Sequence, residues 1–321
     1  MDQVLADAAE RIFRDQCTKT TLDAAEDGEF PERLWQLLCE NGFQLMAMPD
    51  SGAELADLFA VLRVAGRFAV PLPLAEALLA NRWLGEEFGG GETNALNTVG
   101  LMAENGSSRW LGVPWGRAAR RIVGVADDGG VFAGTPVAVN EAVNLAGEPR
   151  DQVEVQDVRP LPYAEPAPAL LALARVAQSA GALERVLELG IGYAQEREQF
   201  GRPIARFQAV QHLLAMVAAE VAAAGRASDA AVAAIGSERF TLEVAAAKSR
   251  VGESVGLVAE AVHQVHGAMG FTYEHQLHHF TRRLWAWRDE CGSEAHWQAL
   301  LGRRLCALGA DQVWDFLATS S

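Results

Sequence analysis

The sequence predicts a mainly α-helical protein with a small β domain set into its middle. Three observations carry this. Apolar residues recur at helical spacing through residues 1–92, and strand-like runs with a hairpin signal occupy 93–163. Long stretches rich in Ala, Leu, Val and Glu then fill 164–321. A chain of 321 residues is too long for one small core and fits two or three packed units.

In the first unit, PERLWQLL (31–38) starts with Pro31 at a first-turn position and sets Leu34, Leu37 and Leu38 on one helical stripe. A second helical pattern runs from Glu54 to Val70 and halts before Pro71 and Pro73. The Gly89-Gly-Gly triplet resembles a phosphate loop, but no strand precedes it and GxGxxG spacing is missing, so it reads as a linker. In the middle unit, RIVGVA (121–126) leads through DDGG (127–130) into VFA (131–133) and VAV (137–139), a hairpin pattern. Val153, Val155 and Val158 mark a further strand, and the whole is too short for a Rossmann domain. Pro160, Pro162, Pro166 and Pro168 close the unit. Beyond them Val210, Leu213, Leu214, Val217 and Val221 form a single apolar stripe, and helices so rich in alanine predict an antiparallel bundle.

Lys+Arg 27 against Asp+Glu 42 gives a net charge of -15. That balance argues against nucleic acid and against an anionic membrane surface. A local arginine cluster could still hold an anionic ligand such as a nucleotide. No apolar run reaches the roughly 18 residues that span a bilayer. The first residues, MDQVLADAAERIF, lack the apolar centre of a secretory signal. Cys17, Cys39, Cys291 and Cys306 are scattered without CxxC pairing, which reads as buried thiols in a reducing cytoplasm.

Two segments resist explanation by periodicity. REQFGRPIARFQ (197–208) is polar, is broken by Gly and Pro, and holds Arg197, Arg202 and Arg206 within ten residues of a strongly acidic chain. It is either a solvated helix connection or an anion site whose arginines grip a pyrophosphate. QVHGAMGF (264–271) carries two glycines that break a helix where a ligand or another backbone could approach closely. All seven histidines follow residue 210, and His263-x-x-His266 and His275-x-x-His278-His279 have one-turn spacing. No carboxylate completes a standard metal motif there and HExxH is missing, so helix-end or interface positions are the preferred reading and no metal site is assigned. Trp285, Trp287 and Trp297 read as core or subunit-interface packing.

These same segments carry a family resemblance. REQFGRPIARFQ resembles the RxQFGxPIxxFQ segment of acyl-CoA dehydrogenases, and QVHGAMGFTYEHQLHHFTRR (264–283) resembles their QxxGGxGYxxExPxxRxxRD segment. LWQLLCENGFQLMAMPDSG (34–52) and AGRFAVPLPLAEALLA (65–80) match the family more weakly. The resemblance covers most of the chain, is strongest from about 168 to 305, and agrees with the helix, β, helix order. It implies an acyl-CoA dehydrogenase-like fold with a C-terminal four-helix-bundle-type domain, FAD bound at a subunit interface, and an oligomer (dimer or tetramer, homo- or heteromeric). The reaction implied is α,β-dehydrogenation of an acyl-CoA, with electrons passed to an electron-transferring flavoprotein. Carried over by position, Arg197 contacts the FAD pyrophosphate of a neighbouring subunit, and Gln199, Phe200, Phe207 and Gln208 line that site. Gln264 and Gly267 fall near the adenosine end, with Ala268 in place of the family's second glycine.

The departures concern catalysis. The family's base is a glutamate, and aligning Arg282 and Gly292 places Cys291 at its position. Glu290 is adjacent, but one residue along a helix turns a side chain by roughly 100°. Members that carry the base earlier, on the first helix of the bundle, have it where Leu171 stands here. The family's substrate-binding arginine and a TEPxxGSD-like segment are also missing, and the β unit is short. The pattern resembles the degenerate subunits of heteromeric α2β2 acyl-CoA dehydrogenases of bacterial steroid catabolism, which complete the FAD site of a homologous catalytic subunit. A self-sufficient dehydrogenase using Glu290 or another base, and a structural or acyl-binding homologue without flavin, remain as the other readings.

Overall fold

The computed structural model describes residues 3–88, 94–163 and 165–318. The glycine triplet at 89–91 and the boundary at 92/93 lie outside the described residues, as does residue 164 at the second boundary. Five helices come first: α1 (Gln3–Gln16), α2 (Lys19–Glu26), α3 (Glu32–Glu40), α4 (Leu55–Arg67) and α5 (Leu74–Leu84). Pro31 is the residue before α3 rather than its first turn, and Leu34 and Leu38 are buried while Leu37 is half-exposed. Glu54 caps α4 in a capping box with Asp57, which satisfies the helix's first free N–H groups. Helix α5 is buried almost along its whole length, so its one strong carboxylate, Glu76, requires a partner inside the protein.

The middle unit is a closed five-stranded barrel in the order β1-β2-β5-β4-β3, with β1 (Asn97–Met102) parallel to β3 (Arg121–Val125) and the other neighbours antiparallel. Strands β3 and β4 (Val131–Asn140) pair across the DDGG turn in the register Val125↔Val131, as the hairpin pattern predicts. Strand β5 (Asp151–Pro160) contains Val153, Val155 and Val158. Strands β1 and β2 (Arg109–Val113) were not legible: NTVGLM and RWLGV are too short and too interrupted by glycine for a clear alternation. Those glycines are required by packing. A Cβ at Gly124 or Gly134 would fall 2.7 Å from the Trp110 ring, which is fully buried and fills the barrel interior. Val99, Val123, Val125 and Val131 face away from it and join the helical core.

The last unit is built on three long helices, α6 (Ala167–Glu196), α7 (Gln208–Ala233) and α8 (Phe240–His266), followed by α9 (Leu277–Asp289), α10 (Glu294–Leu308) and α11 (Ala310–Ala318). The apolar stripe of α7 turns inward as expected, with Val217 and Val221 buried. Between α6 and α7 lies a two-residue hairpin, β6 (Glu198–Gln199) with β7 (Arg202–Pro203). Trp287 and Trp297 are core residues, whereas Trp285 is partly exposed under the Arg288 guanidinium, 5.0 Å from its ring centroid. Of the cysteines only Cys39 is fully buried, and Cys306 is exposed on α10, which corrects the expectation of four buried thiols.

The N-terminal helices meet the bundle where α4 crosses α6. A Cβ on Gly66 would strike the Gln178 carbonyl, and one on Gly181 would strike the Arg63 carbonyl, so the two backbones touch without intervening side chains. Gly66→Ala and Gly181→Ala are therefore expected to destabilise the chain by about 1–3 kcal/mol or more. Gly192→Ala, on the same helix α6 with open space around it, is expected to stabilise by about 0.4–1 kcal/mol. Urea unfolding of the three variants checks both signs.

Candidate active site

A cavity of about 390 Å³ opens between barrel and bundle. The barrel contributes Val99, Gly100 and Leu101 with Gly112 and Pro114, α5 contributes Glu76, and α6 contributes Leu171 and Arg175. Its remaining wall is Val143, Asn144 and Arg150 from the loop between β4 and β5, together with Asp289, Glu290, Cys291 and Gly292. Leu171 and Cys291, the two positions that the resemblance assigns to the family's base, thus line one cavity, and neither is acidic.

The turn that presents Glu290 and Cys291 is built locally. Helix α9 ends at Asp289, Cys291 and Gly292 follow at φ of 58° and 95°, and Ser293 caps α10 by accepting the His296 N–H. The Cys291 carbonyl accepts from the Trp297 indole at 3.0 Å, which holds the bulky residue in the left-handed region. Burial pushes the Cys291 thiol up, against the pull of Arg175 and Lys248, so it stays protonated.

Glu290 is held between two guanidiniums. Arg150 donates to it from Nε at 2.8 Å and Nη2 at 3.1 Å, Arg175 from Nε at 2.7 Å, and the Asn144 amide at 2.9 Å. Arg175 in turn binds Gln178 at 2.6 Å and pairs with Glu76. Burial raises the affinity of Glu290 for a proton, but Arg150 and Arg175 outweigh it and bring the carboxyl down to about 2. The adjacent residue that a one-residue shift would offer as base is therefore a fully ionised, doubly paired carboxylate, which is a weak proton acceptor. Asp289, exposed at the end of α9, is the remaining carboxylate of the cavity wall, and it makes no ion pair with a described residue.

Sequence reading missed Glu76, Arg150 and Arg175. The signal was present for Arg175: it is the only charged residue between Pro166 and Glu184, an otherwise apolar and small-residue stretch. An arginine in a buried helix needs a carboxylate. Nothing local marks Glu76 or Arg150 as that helix's neighbours.

The residues carried over for a dinucleotide gather elsewhere. Arg197, Gln199 and Phe200 lie on the hairpin after α6, and Phe207 and Gln208 open α7. Gln264 and Gly267 lie at the end of α8. Tyr193, one turn before Arg197, stacks on His266 at 4.4 Å, so the two groups share one end of the bundle. That end is open to solvent. Phe200 is 92% exposed at φ 52°, touching Phe207 edge-on at 6.1 Å, and Arg202 stacks over Phe207 at 4.3 Å. Arg197, Gln199, Gln208 and Gln264 are exposed, and a side chain built at Gly267 would meet nothing within 4 Å. None of Arg197, Arg202 and Arg206 pairs with a carboxylate among the described residues. Uncompensated guanidiniums, exposed aromatic faces and a bare glycine backbone suit an FAD pyrophosphate and its adenosine. Leu171 and Glu196 lie at opposite ends of α6, roughly 37 Å apart at 1.5 Å per residue. The segment carried over for a dinucleotide and the cavity therefore stand at separate ends of one helix.

The family described as "Acyl-CoA dehydrogenase, C-terminal domain" matches residues 169–305. The curated protein "Acyl-CoA dehydrogenase IpdE2" of Mycobacterium tuberculosis is 31% identical over 282 residues, covering 81% of this chain and 82% of its own. A chain of the ChsE4-ChsE5 complex from Mycobacterium tuberculosis shares the fold with a TM-score of 0.84 at 23% identity, over 96% of this chain and 98% of that one. A chain of the Tcur3481-Tcur3483 steroid ACAD, G363A variant, does so with a TM-score of 0.82 at 24% identity, over 95% and 97%.

Glu26, which pairs with Arg283 at 2.7 Å, and Glu290 both have carboxyls near 2, each raised by burial and lowered further by its cationic and hydrogen-bonding neighbours. A depressed folded pKa contributes stability that is full above the unfolded value of about 4.3 and is lost as pH falls toward 2. Acid unfolding is expected to steepen across that window. Glu290→Gln leaves Arg150 and Arg175 facing a neutral amide and is expected to cost roughly 3–5 kcal/mol at neutral pH. It should also flatten the acid dependence, which urea titrations between pH 7 and pH 3 measure.

Proposed function

The chain belongs to the acyl-CoA dehydrogenase family, an FAD-dependent oxidoreductase class, and we propose that it acts there as a half-site subunit. On this reading it lends its FAD clamp to a homologous catalytic partner while its own reacting cavity lacks a base. The observation that carries the proposal is the cavity wall: Leu171 and Cys291 stand at both base positions, and the adjacent Glu290 is neutralised by Arg150 and Arg175. The separation of clamp and cavity along α6 supports an arrangement in which Arg197 works on a cofactor seated mainly in another subunit. The names of the solved relatives, each a complex of two named chains, support a heteromer, a dimer or tetramer.

Bound FAD would supply the hydride acceptor for α,β-dehydrogenation of an acyl-CoA thioester. Toward it Arg197 neutralises the pyrophosphate, Phe200 and Phe207 present apolar faces, and Gln199, Gln208 and Gln264 donate or accept hydrogen bonds. Gly267 leaves room for close approach, and Ala268 adds one methyl beside it. Taking the substrate α-proton falls to the partner, and electrons leave through an electron-transferring flavoprotein. The "steroid ACAD" relative favours a bulky, steroid-derived acyl group. No described helix is long and apolar enough to cross a membrane, and a cytoplasmic setting is part of the proposal. One observation favours a second reading, a self-sufficient dehydrogenase: Asp289 lines the cavity without an ion-pair partner.

The visible spectrum of the chain, alone and co-expressed with a homologous dehydrogenase subunit, tests both. The half-site reading expects a colourless lone chain and a yellow complex that acyl-CoA bleaches. Arg197→Ala is expected to leave stability within about 0.5 kcal/mol, as befits an exposed side chain, while the complex loses bound flavin. A lone chain that is yellow, bleaches with acyl-CoA and stops doing so on Asp289→Asn would replace the half-site reading with the second.

A further inference from the structure

Outside the flavin and acyl-CoA machinery, one cluster is built for a different ligand. Helix α9 begins Leu277-His278-His279, and its first turn packs against α2, which brings Asp23 to the two imidazoles. One ligand atom from each of Asp23, His278 and His279 lies within 4.8 Å of the others. His279 is fully buried and His278 is 8% exposed. The Nε2 atoms of both rings are buried without a hydrogen-bond partner. A buried imidazole nitrogen left without a partner is costly, and here two occur side by side.

The opposite nitrogens explain the arrangement. His278 Nδ1 is 2.7 Å from the His275 carbonyl oxygen, which can only accept, so Nδ1 carries the proton and Nε2 the lone pair. His279 Nδ1 lies 2.8 Å from Glu26 Oε1, held ionised by Arg283, and the same logic protonates Nδ1. Both rings thus donate through Nδ1 to an oxygen and leave Nε2 without a hydrogen-bond partner, which is the outer-sphere arrangement that orients metal-binding histidines. His279 Nε2 also lies 3.3 Å from Asp23 Oδ1, two acceptors facing each other when the ring is neutral. A cation between them removes that repulsion.

We propose that Asp23, His278 and His279 form a binding site for a divalent transition ion of the zinc class, with water completing the coordination on the exposed side of Asp23. Two imidazoles and one carboxylate select zinc or cobalt over magnesium or calcium, which prefer all-oxygen sites. Three protein ligands and a solvent position form a known zinc arrangement. Bonds of about 2.0–2.1 Å set tetrahedral ligand atoms roughly 3.3 Å apart, so the cluster contracts modestly on binding. Lys19, now 2.6 Å from Asp23 Oδ2, swings away toward solvent, and Glu26 stays balanced by Arg282 and Arg283. The ion staples α2 to α9, and hence the N-terminal helices to the bundle. The site needs no flavin and stands or falls separately from the half-site reading.

The rival occupant of the same space is a proton, with His279 doubly protonated between Asp23 and Glu26. The full-length chain, in complex with its partner if it requires one, is stripped with chelator and titrated with zinc chloride by calorimetry and with cobalt chloride by visible absorption. One ion per chain is expected, with the intense d–d bands of tetrahedral cobalt and a rise in melting temperature. Asp23→Asn, at a side chain 43% exposed and therefore safe for folding, is expected to weaken binding at least tenfold, and His278→Gln to abolish the cobalt bands. Zinc is also expected to shift the Nε2 nitrogen resonances of both rings. The proposal is overturned if no ion binds below the millimolar range, or if binding is unchanged in Asp23→Asn and His278→Gln. A His279 that is doubly protonated at pH 7.5 and indifferent to zinc overturns it equally.

Discussion

The interior of this protein is organised around keeping Glu290 ionised. Its carboxylate touches Arg150 and Arg175, Arg175 reaches Glu76 on α5, and Arg150 reaches Glu148 at 3.0 Å. Glu148 accepts from the Trp287 indole at 3.0 Å and sits 3.4 Å from Arg283, which holds Glu26 at the end of α2. The chain of charges runs through every unit: α2 and α5 from the first, the β4–β5 loop from the second, α6 and α9 from the third. Burying so many ions costs several kcal/mol for each, and the cost is offset only when every member is paired. The three units are therefore locked in one relative position, because sliding any of them would strand a charge.

That lock also decides the chemistry available in the cavity. A base must be able to bind a proton near neutral pH, which burial alone would encourage and two guanidiniums prevent. The same carboxylate cannot both anchor the interior and cycle its proton. At the two positions the resemblance assigns to the base, the side chains are a leucine and a thiol kept protonated by burial, which leaves Asp289 as the wall carboxylate without an ion pair among the described residues. The ionised state of Glu290 is thus a property of the whole network, not of one contact.

How much of this was legible follows from the range of each interaction. The helices, the DDGG hairpin and the α7 stripe were readable because periodicity and turn chemistry act over a few residues. Strands β1 and β2 were not, because their glycines exist to admit Trp110, a contact made between strands. The residues proposed as a clamp could be named because REQFGRPIARFQ is a continuous segment. Glu290 could be named but its state could not, since its partners stand 115 and 140 positions away in sequence. No carboxylate close to His278 and His279 in sequence completes a standard metal motif to suggest a ligand set, because Asp23 comes from the first unit.

The two ends of α6 differ in how their charges are satisfied. In the cavity each guanidinium already has a carboxylate, so nothing remains for a substrate anion. At the far end Arg197, Arg202 and Arg206 have no such partner among the described residues, in a protein whose net charge is -15. The charges of the cavity are paired at contact distance, so little net field leaves it toward the far end of α6. Neutralising the cavity therefore leaves the potential at the clamp almost unchanged. On the half-site reading, the affinity of that end for a pyrophosphate depends on its own arginines and on whichever subunit brings the dinucleotide to them.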